Sequence, residues 1–167
     1  MEIVKKSLVN INLDSVIIFV ILLIPIFLIT GAFLPDLSIT FCALLFFFYL
    51  KKDKFIFDKK KKYFTIFFSI FYFFAIVSSL HSQDIESIFK SLAIIRFYLF
   101  TLLFWHILEK YKLKVLKKLF KICVFSTVIL IADSFLQILT GTNILGYSMQ
   151  VNTRVSSFFG DELILGS

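Results

Sequence analysis

The sequence predicts an all-α integral membrane protein with about five transmembrane helices, its N-terminus in the cytoplasm and the start of a sixth helix at its C-terminus. Three observations carry this. Hydrophobic residues make up 59% of the 167, above the roughly half of a soluble domain, and the mean hydropathy is +0.94. The charged residues, 17% of the chain, are clumped into short loops between apolar blocks. Those loops alternate in their lysine content, as the two sides of a membrane require.

The first span is expected at 16–34. Lys5 and Lys6 precede it as in a signal peptide, but the apolar run is too long for a signal core and no small-x-small cleavage site follows. Pro25 should bend it, and a short turn at 31–36 should end it. The second span, 37–50, is short against the ~20 residues needed to cross hydrocarbon. It must borrow Pro35 and Asp36 or rely on Lys51 and Lys52 reaching outward to the interface. The third span is expected at 63–80. Asp84 and Glu86 then suit the first turn of a short helix with Ile85, Ile88 and Phe89 on its apolar face. The fourth span is 92–108 and the fifth 122–139. Between these two, Leu113, Leu116, Leu119 and Phe120 recur at helical spacing among lysines, the pattern of a basic amphipathic helix lying on the inner leaflet.

Orientation follows from the basic residues. With the N-terminus inside, fifteen of the eighteen fall in the N-terminal segment and the loops 51–62 and 109–121. Lys90, Arg96 and Arg154 are the others. Dropping the short second span would put one lysine loop outside. The net charge of +7 is therefore a topology signal, and nucleic acid is not an expected partner. Cys42 and Cys123 fall at different depths and read as packing residues.

Two charges lie inside spans, where each costs ~2.5–3.5 kcal/mol at the centre. At 1.5 Å rise per residue, Arg96 and Asp133 both sit roughly 6–9 Å below the outer boundary. Ser126, Asp133, Gln137 and Thr140 follow helical spacing and give the fifth span a polar stripe. Arg96, Asp133 and Gln137 read either as a buried ion pair that fixes two helices or as a polar cavity opening outward near a substrate head group. His81 and His106 fall on opposite sides, so they share no metal site. No glycine-rich phosphate loop and no Ser–His nucleophile arrangement occurs.

From the fifth span onward the order is Ala132-Asp133-Ser-Phe-Leu-Gln137, then Thr-Gly141-Thr-Asn143-Ile-Leu-Gly146-Tyr147, then Arg154-Val-Ser-Ser-Phe-Phe-Gly160-Asp161-Glu162. This series resembles the O-antigen ligase and O-antigen polymerase family of bacterial envelope glycosyltransferases, over about the last 35 residues. An Ile95-Arg96-Phe97 sequence in the fourth span agrees in type. Ser157 departs from the pattern, because many members carry glycine there, and ligase versus polymerase stays open.

The resemblance implies ten or more membrane helices and a large periplasmic loop in the second half. It implies transfer of glycan from undecaprenyl diphosphate to lipid A-core or to another carrier-linked glycan, at the periplasmic face of the bacterial inner membrane and without a cofactor or metal. Family arginines bind the donor diphosphate, and Arg154 matches the first of them. The essential histidine and a further arginine belong to the later loop. The chain is accordingly expected to be an N-terminal fragment whose catalytic residues lie beyond Ser167, with residues 163–165 beginning the sixth span.

The residue chemistry agrees on Arg154. A guanidinium offers a planar, bidentate fit to phosphate oxygens and stabilises a departing diphosphate electrostatically. An interfacial arginine holding any membrane-lipid phosphate, or pairing with Asp161 or Glu162, is the plainer reading. Two other functions remain open: a transporter or channel subunit with Arg96, Asp133 and Gln137 along its path, and a small non-enzymatic membrane protein. The first might show internal repeats, and none is visible.

Overall fold

The structure, a computed structural model, describes residues 13–31, 33–52, 57–82, 84–148 and 157–159. Six helices follow one another: α1 Leu13–Phe27, α2 Phe33–Lys52, α3 Lys59–His81, α4 Ile85–Ala93, α5 Ile95–Tyr111 and α6 Leu113–Thr140. Among the described residues there is no strand, and one isolated antiparallel bridge joins Thr142 to Ser148. Among the described residues, five helical stretches are long and apolar enough to cross a membrane: Leu13–Thr30, Phe33–Leu50, Lys59–His81, Ile85–Tyr111 and Leu113–Thr140. Phe67, Phe74, Phe125 and Phe135, each more than 60% exposed, show that aromatic side chains cover the outside. Hydrocarbon solvates such a surface and water does not, which makes the chain compatible with a multi-pass membrane protein.

Three expected boundaries change. Pro25 stays within α1, and the helix tightens into a 3-10 turn at Leu28–Thr30. The turn that follows is shorter than 31–36. Gly31 turns the chain at φ 114°, and α2 starts at Phe33 with Pro35 and Asp36 in its first turn. Proline is tolerated there because the first N–H groups of a helix have no intrahelical acceptor, and Asp36 faces the positive end of the helix dipole. The second helix thus reaches 20 residues by taking in Pro35 and Asp36, one of the two ways expected. The short helix expected ahead of the fourth span forms as α4, and the helix of that span starts later than expected, at Ile95. Asp84 caps α4 by accepting from the Glu86 and Ser87 amides at 3.2 and 3.1 Å, and the chain breaks at Ile94 before α5.

The segment 109–121 also differs from expectation. Leu113 to Lys121 forms the first turns of α6, a single helix of 28 residues and about 42 Å. Nothing between 113 and 140 breaks it, since the run holds no glycine or proline. The break between α5 and α6 falls instead on Lys112, at φ 47°.

The chain divides into two compact units. The first comprises Met1–Ile17 and Ile39–Lys110. Its core holds Ile17, Cys42, Phe46, Leu103 and Ile107. Rings of Phe64, Phe68, Tyr72 and Tyr98 stack between α3 and α5, with the Phe68 and Tyr98 centroids 4.8 Å apart. The Thr65 and Tyr98 hydroxyls meet at 2.9 Å. Ser79 and Ser91, both buried, share a hydrogen bond of 2.8 Å where α4 lies on α3. Small residues allow such close helix contact and satisfy each other where no water is present.

One end of this unit carries ion pairs between residues far apart in sequence. The fully buried Lys61 reaches Glu109 Oε2 at 2.6 Å, and Lys110 reaches the buried Asp14 at 2.7 Å and donates to Tyr49 Oη at 3.3 Å. The Tyr49 ring also meets His106 edge-on, at 5.3 Å between centroids. Lys61 and Lys110 count among the lysines from which the orientation was expected, and both have a structural task as well.

The second unit comprises Ile18–Ser38 and Tyr111–Ser167. Within it α6 packs against a 3-10 turn at Ser157–Phe159, and that turn also touches the one at Leu28–Thr30. Gly141 ends α6 in the left-handed region at φ 79°, with its N–H on the Gln137 carbonyl at 2.9 Å. A Cβ there would meet nothing within 4 Å. Gly141→Ala should therefore cost only the backbone term, about 1 kcal/mol, read as a small fall in thermal stability.

Candidate functional site

The polar stripe expected on the fifth span lies on α6, and its members Ser126, Asp133 and Gln137 are buried. What they face is the chain that leaves the helix. After Gly141 the residues 142–148 form a compact turn. The Asn143 N–H donates to the Tyr147 carbonyl at 3.0 Å, and Asn143 Oδ1 accepts from the Tyr147 N–H at 2.7 Å. Gly146, at φ 86°, donates to the Asn143 carbonyl at 3.0 Å. Asn143 therefore organises the turn with both backbone and side chain.

Two α6 side chains pin this turn to the helix. Asp133 Oδ1 accepts from the Ile144 N–H at 2.9 Å, and Gln137 Nε2 donates to the Tyr147 carbonyl at 3.3 Å. The same three polar residues then converge on Ser157. Its N–H donates to Gln137 Oε1 at 2.7 Å, its hydroxyl donates to Asp133 Oδ2, and its carbonyl accepts from Asn143 Nδ2. Asp133, Gln137 and Ser157 are each 0% exposed. Every polar group of Ser157 is thus satisfied by a side chain, as burial demands.

Ser157 holds φ 48°, a left-handed backbone that costs a residue with Cβ roughly 1–2 kcal/mol. Such a conformation persists only where the surroundings over-determine it, and three hydrogen bonds do so here. The serine supplies what glycine could not, a hydroxyl for the second oxygen of Asp133.

The other expected site residues are placed as follows. Asp133, read from sequence as a partner of Arg96, has both carboxylate oxygens engaged by Ile144 and Ser157. Arg96 lies at the start of α5, donating from Nη1 to Thr40 Oγ1 at 3.3 Å. Asp133 and Gln137 meet each other's partners, and Arg96 belongs to the other compact unit. Arg154, Asp161, Glu162 and the expected start of a sixth helix at 163–165 lie outside the described residues. Ser126 lines a cleft of about 250 Å³ with Pro25, Leu28, Cys123, Leu130 and Phe159, and its hydroxyl has no hydrogen-bond partner among the described residues.

Chemically, the knot around Ser157 is a positioning device. It is sealed from solvent, and its carboxylate and amides bond to the chain itself. Sequence spacing marked Asp133 and Gln137 through their shared helix face. Nothing in the spacing marked Ser157 as their common target.

No family model matches the chain, and no curated protein or solved structure is significantly similar to it.

Proposed function

We propose that this chain works as part of an O-antigen ligase- or polymerase-like membrane glycosyltransferase. It would move glycan from undecaprenyl diphosphate to lipid A-core or to another carrier-linked glycan, at the periplasmic face of a bacterial inner membrane. One observation supports the reading most. The elements that carry the resemblance, Asp133, Gln137 and Asn143, meet at Ser157, and Ser157 holds a glycine-like backbone where many members of the family have glycine.

In this reading the knot fixes the chain on which Arg154 is carried. Three residues of extended chain span at most about 10 Å, so a fixed Ser157 confines where Arg154 can reach. Asp133, Gln137 and Asn143 are then positioning residues. Arg154 would contact the donor, its guanidinium bridging two diphosphate oxygens and stabilising the charge that grows as the sugar leaves.

The test is Arg154→Lys in the protein expressed in its own host. Lysine keeps the charge but loses the bidentate fork, so transfer should fall about tenfold or more while the amount of protein in the membrane is unchanged. Glycan length and attachment, resolved on gels, give the readout. Unaltered glycan in this variant would remove Arg154 from the donor site. Ser157→Gly, which restores the family's residue, should leave transfer near the parental level.

A further inference from the structure

The first turns of α6 carry a feature that the proposed transfer reaction does not use. Lys114, Lys117, Lys118 and Lys121 occupy i, i+3, i+4 and i+7 and so form one stripe along the helix. All four are exposed, and among the described residues none has an ion pair or hydrogen bond. The nearest acid in sequence, Glu109, is engaged by Lys61. Like charges at this spacing repel one another, and they stand at the positive end of the helix dipole, which adds to the same field. Among the described residues the stripe therefore has no counter-charge.

Beside it runs an apolar cleft of about 530 Å³, lined by Leu116, Leu119, Phe120, Cys123 and the stems of Lys117 and Lys121. That size is within the range of ligand-holding clefts. Two of the stripe's lysines thus stand over the cleft, with their ammonium groups free to meet an anion above it. The same helix continues as a stretch apolar enough to cross a membrane. A ligand that fits must be anionic at one end and apolar at the other, and must reach the site from the bilayer.

We infer that this face of α6 is a binding site for an anionic phospholipid. The phosphate lies on Lys117 and Lys121, with Lys114 and Lys118 adding to the field, and an acyl chain fills the cleft against Leu116 and Phe120. Charge complementarity selects the headgroup, and the apolar wall selects a membrane lipid over a soluble phosphate.

The experiment measures lipids retained by the purified 167-residue chain, by native mass spectrometry, after equilibration with mixed micelles of phosphatidylglycerol and phosphatidylcholine. The chain should retain phosphatidylglycerol preferentially, and excess inorganic phosphate at matched ionic strength should not displace it. Each lysine near an anionic surface is worth about a fivefold change in partition, so Lys117→Gln/Lys121→Gln should cut the preference about 25-fold. Lys59→Gln/Lys60→Gln, which removes two exposed lysines outside the cleft, should change it far less. Cys123→Trp, which fills the cleft and keeps every charge, should lower retention without reversing the preference. Equal retention of the two lipids, displacement by phosphate, or equal losses in the two double variants would overturn the site. Circular dichroism and gel filtration confirm that each variant is folded before its lipid content is read.

Discussion

Asp133→Ala should detach residues 142–148 and 157–159 from α6 and destabilise the second unit by about 3 kcal/mol. The change deletes an acceptor used by two donors, the Ile144 N–H and the Ser157 hydroxyl. The hydroxyl is sealed from water and has no alternative acceptor in the knot, because Gln137 Oε1 already takes the Ser157 N–H. A buried donor left unmade costs about 1–3 kcal/mol, and the left-handed Ser157 loses one of the contacts that hold it. Hydrogen exchange gives a local readout: the Ile144 and Ser157 amides should lose protection, while amides in α3 keep theirs. Protection of Ile144 unchanged in the variant would show that Asp133 is not what fixes the turn. Ser157→Ala should cost more than Ser157→Gly. Both lose the hydroxyl, but only glycine removes the left-handed penalty.

The second large effect is asymmetric and belongs to the other unit. Lys110→Met should destabilise it by about 3 kcal/mol, and Asp14→Asn by clearly less. The Asp14 side chain is 5% exposed and that of Lys110 41%. Removing lysine leaves a carboxylate in a buried place, where desolvation is expensive. Removing the carboxylate leaves an ammonium that water can still reach, besides its hydrogen bond to Tyr49. The double change Asp14→Asn/Lys110→Met should therefore recover part of the loss seen in Lys110→Met alone. Thermal unfolding in detergent compares the three, and equal losses in the two single variants would refute the asymmetry.

Much of the helical layout was legible before any contact was known. Residues 63–80 lie within α3 and 122–139 within α6, because an apolar block of span length declares itself one window at a time. The Asp84 cap was legible as well, since a capping side chain and its amides are neighbours in sequence. The second span was legible in one of its two readings: it takes in Pro35 and Asp36, because the first turn of a helix tolerates proline. The separate basic helix was misjudged because lysine and leucine both favour helix, and the break at Lys112 needs a positive φ that lysine does not advertise.

The candidate site was legible only in part. Asp133 and Gln137 stand four residues apart on one helix, so their common face follows from the helix repeat. Their partners do not. Asn143 and Ser157 are brought to them by a turn and by the chain between, and Ser157 hides a left-handed conformation behind an ordinary residue type. The lysines show the same divide. As a count they set the expected topology, but only packing separates the buried Lys61 and the Asp14-bound Lys110 from the free stripe on α6.

The sequence by itself determined that this chain is a set of long apolar helices with charge confined between them. Hydrophobic partition and helix propensity are sums over neighbouring residues, so a linear string contains them. Only the tertiary structure decided that three polar side chains would close on Ser157, and which lysines would find acids. Those choices depend on hydrogen bonds and ion pairs across 11 to 96 positions of sequence, where burial, not spacing, makes an unmet polar group too costly to leave.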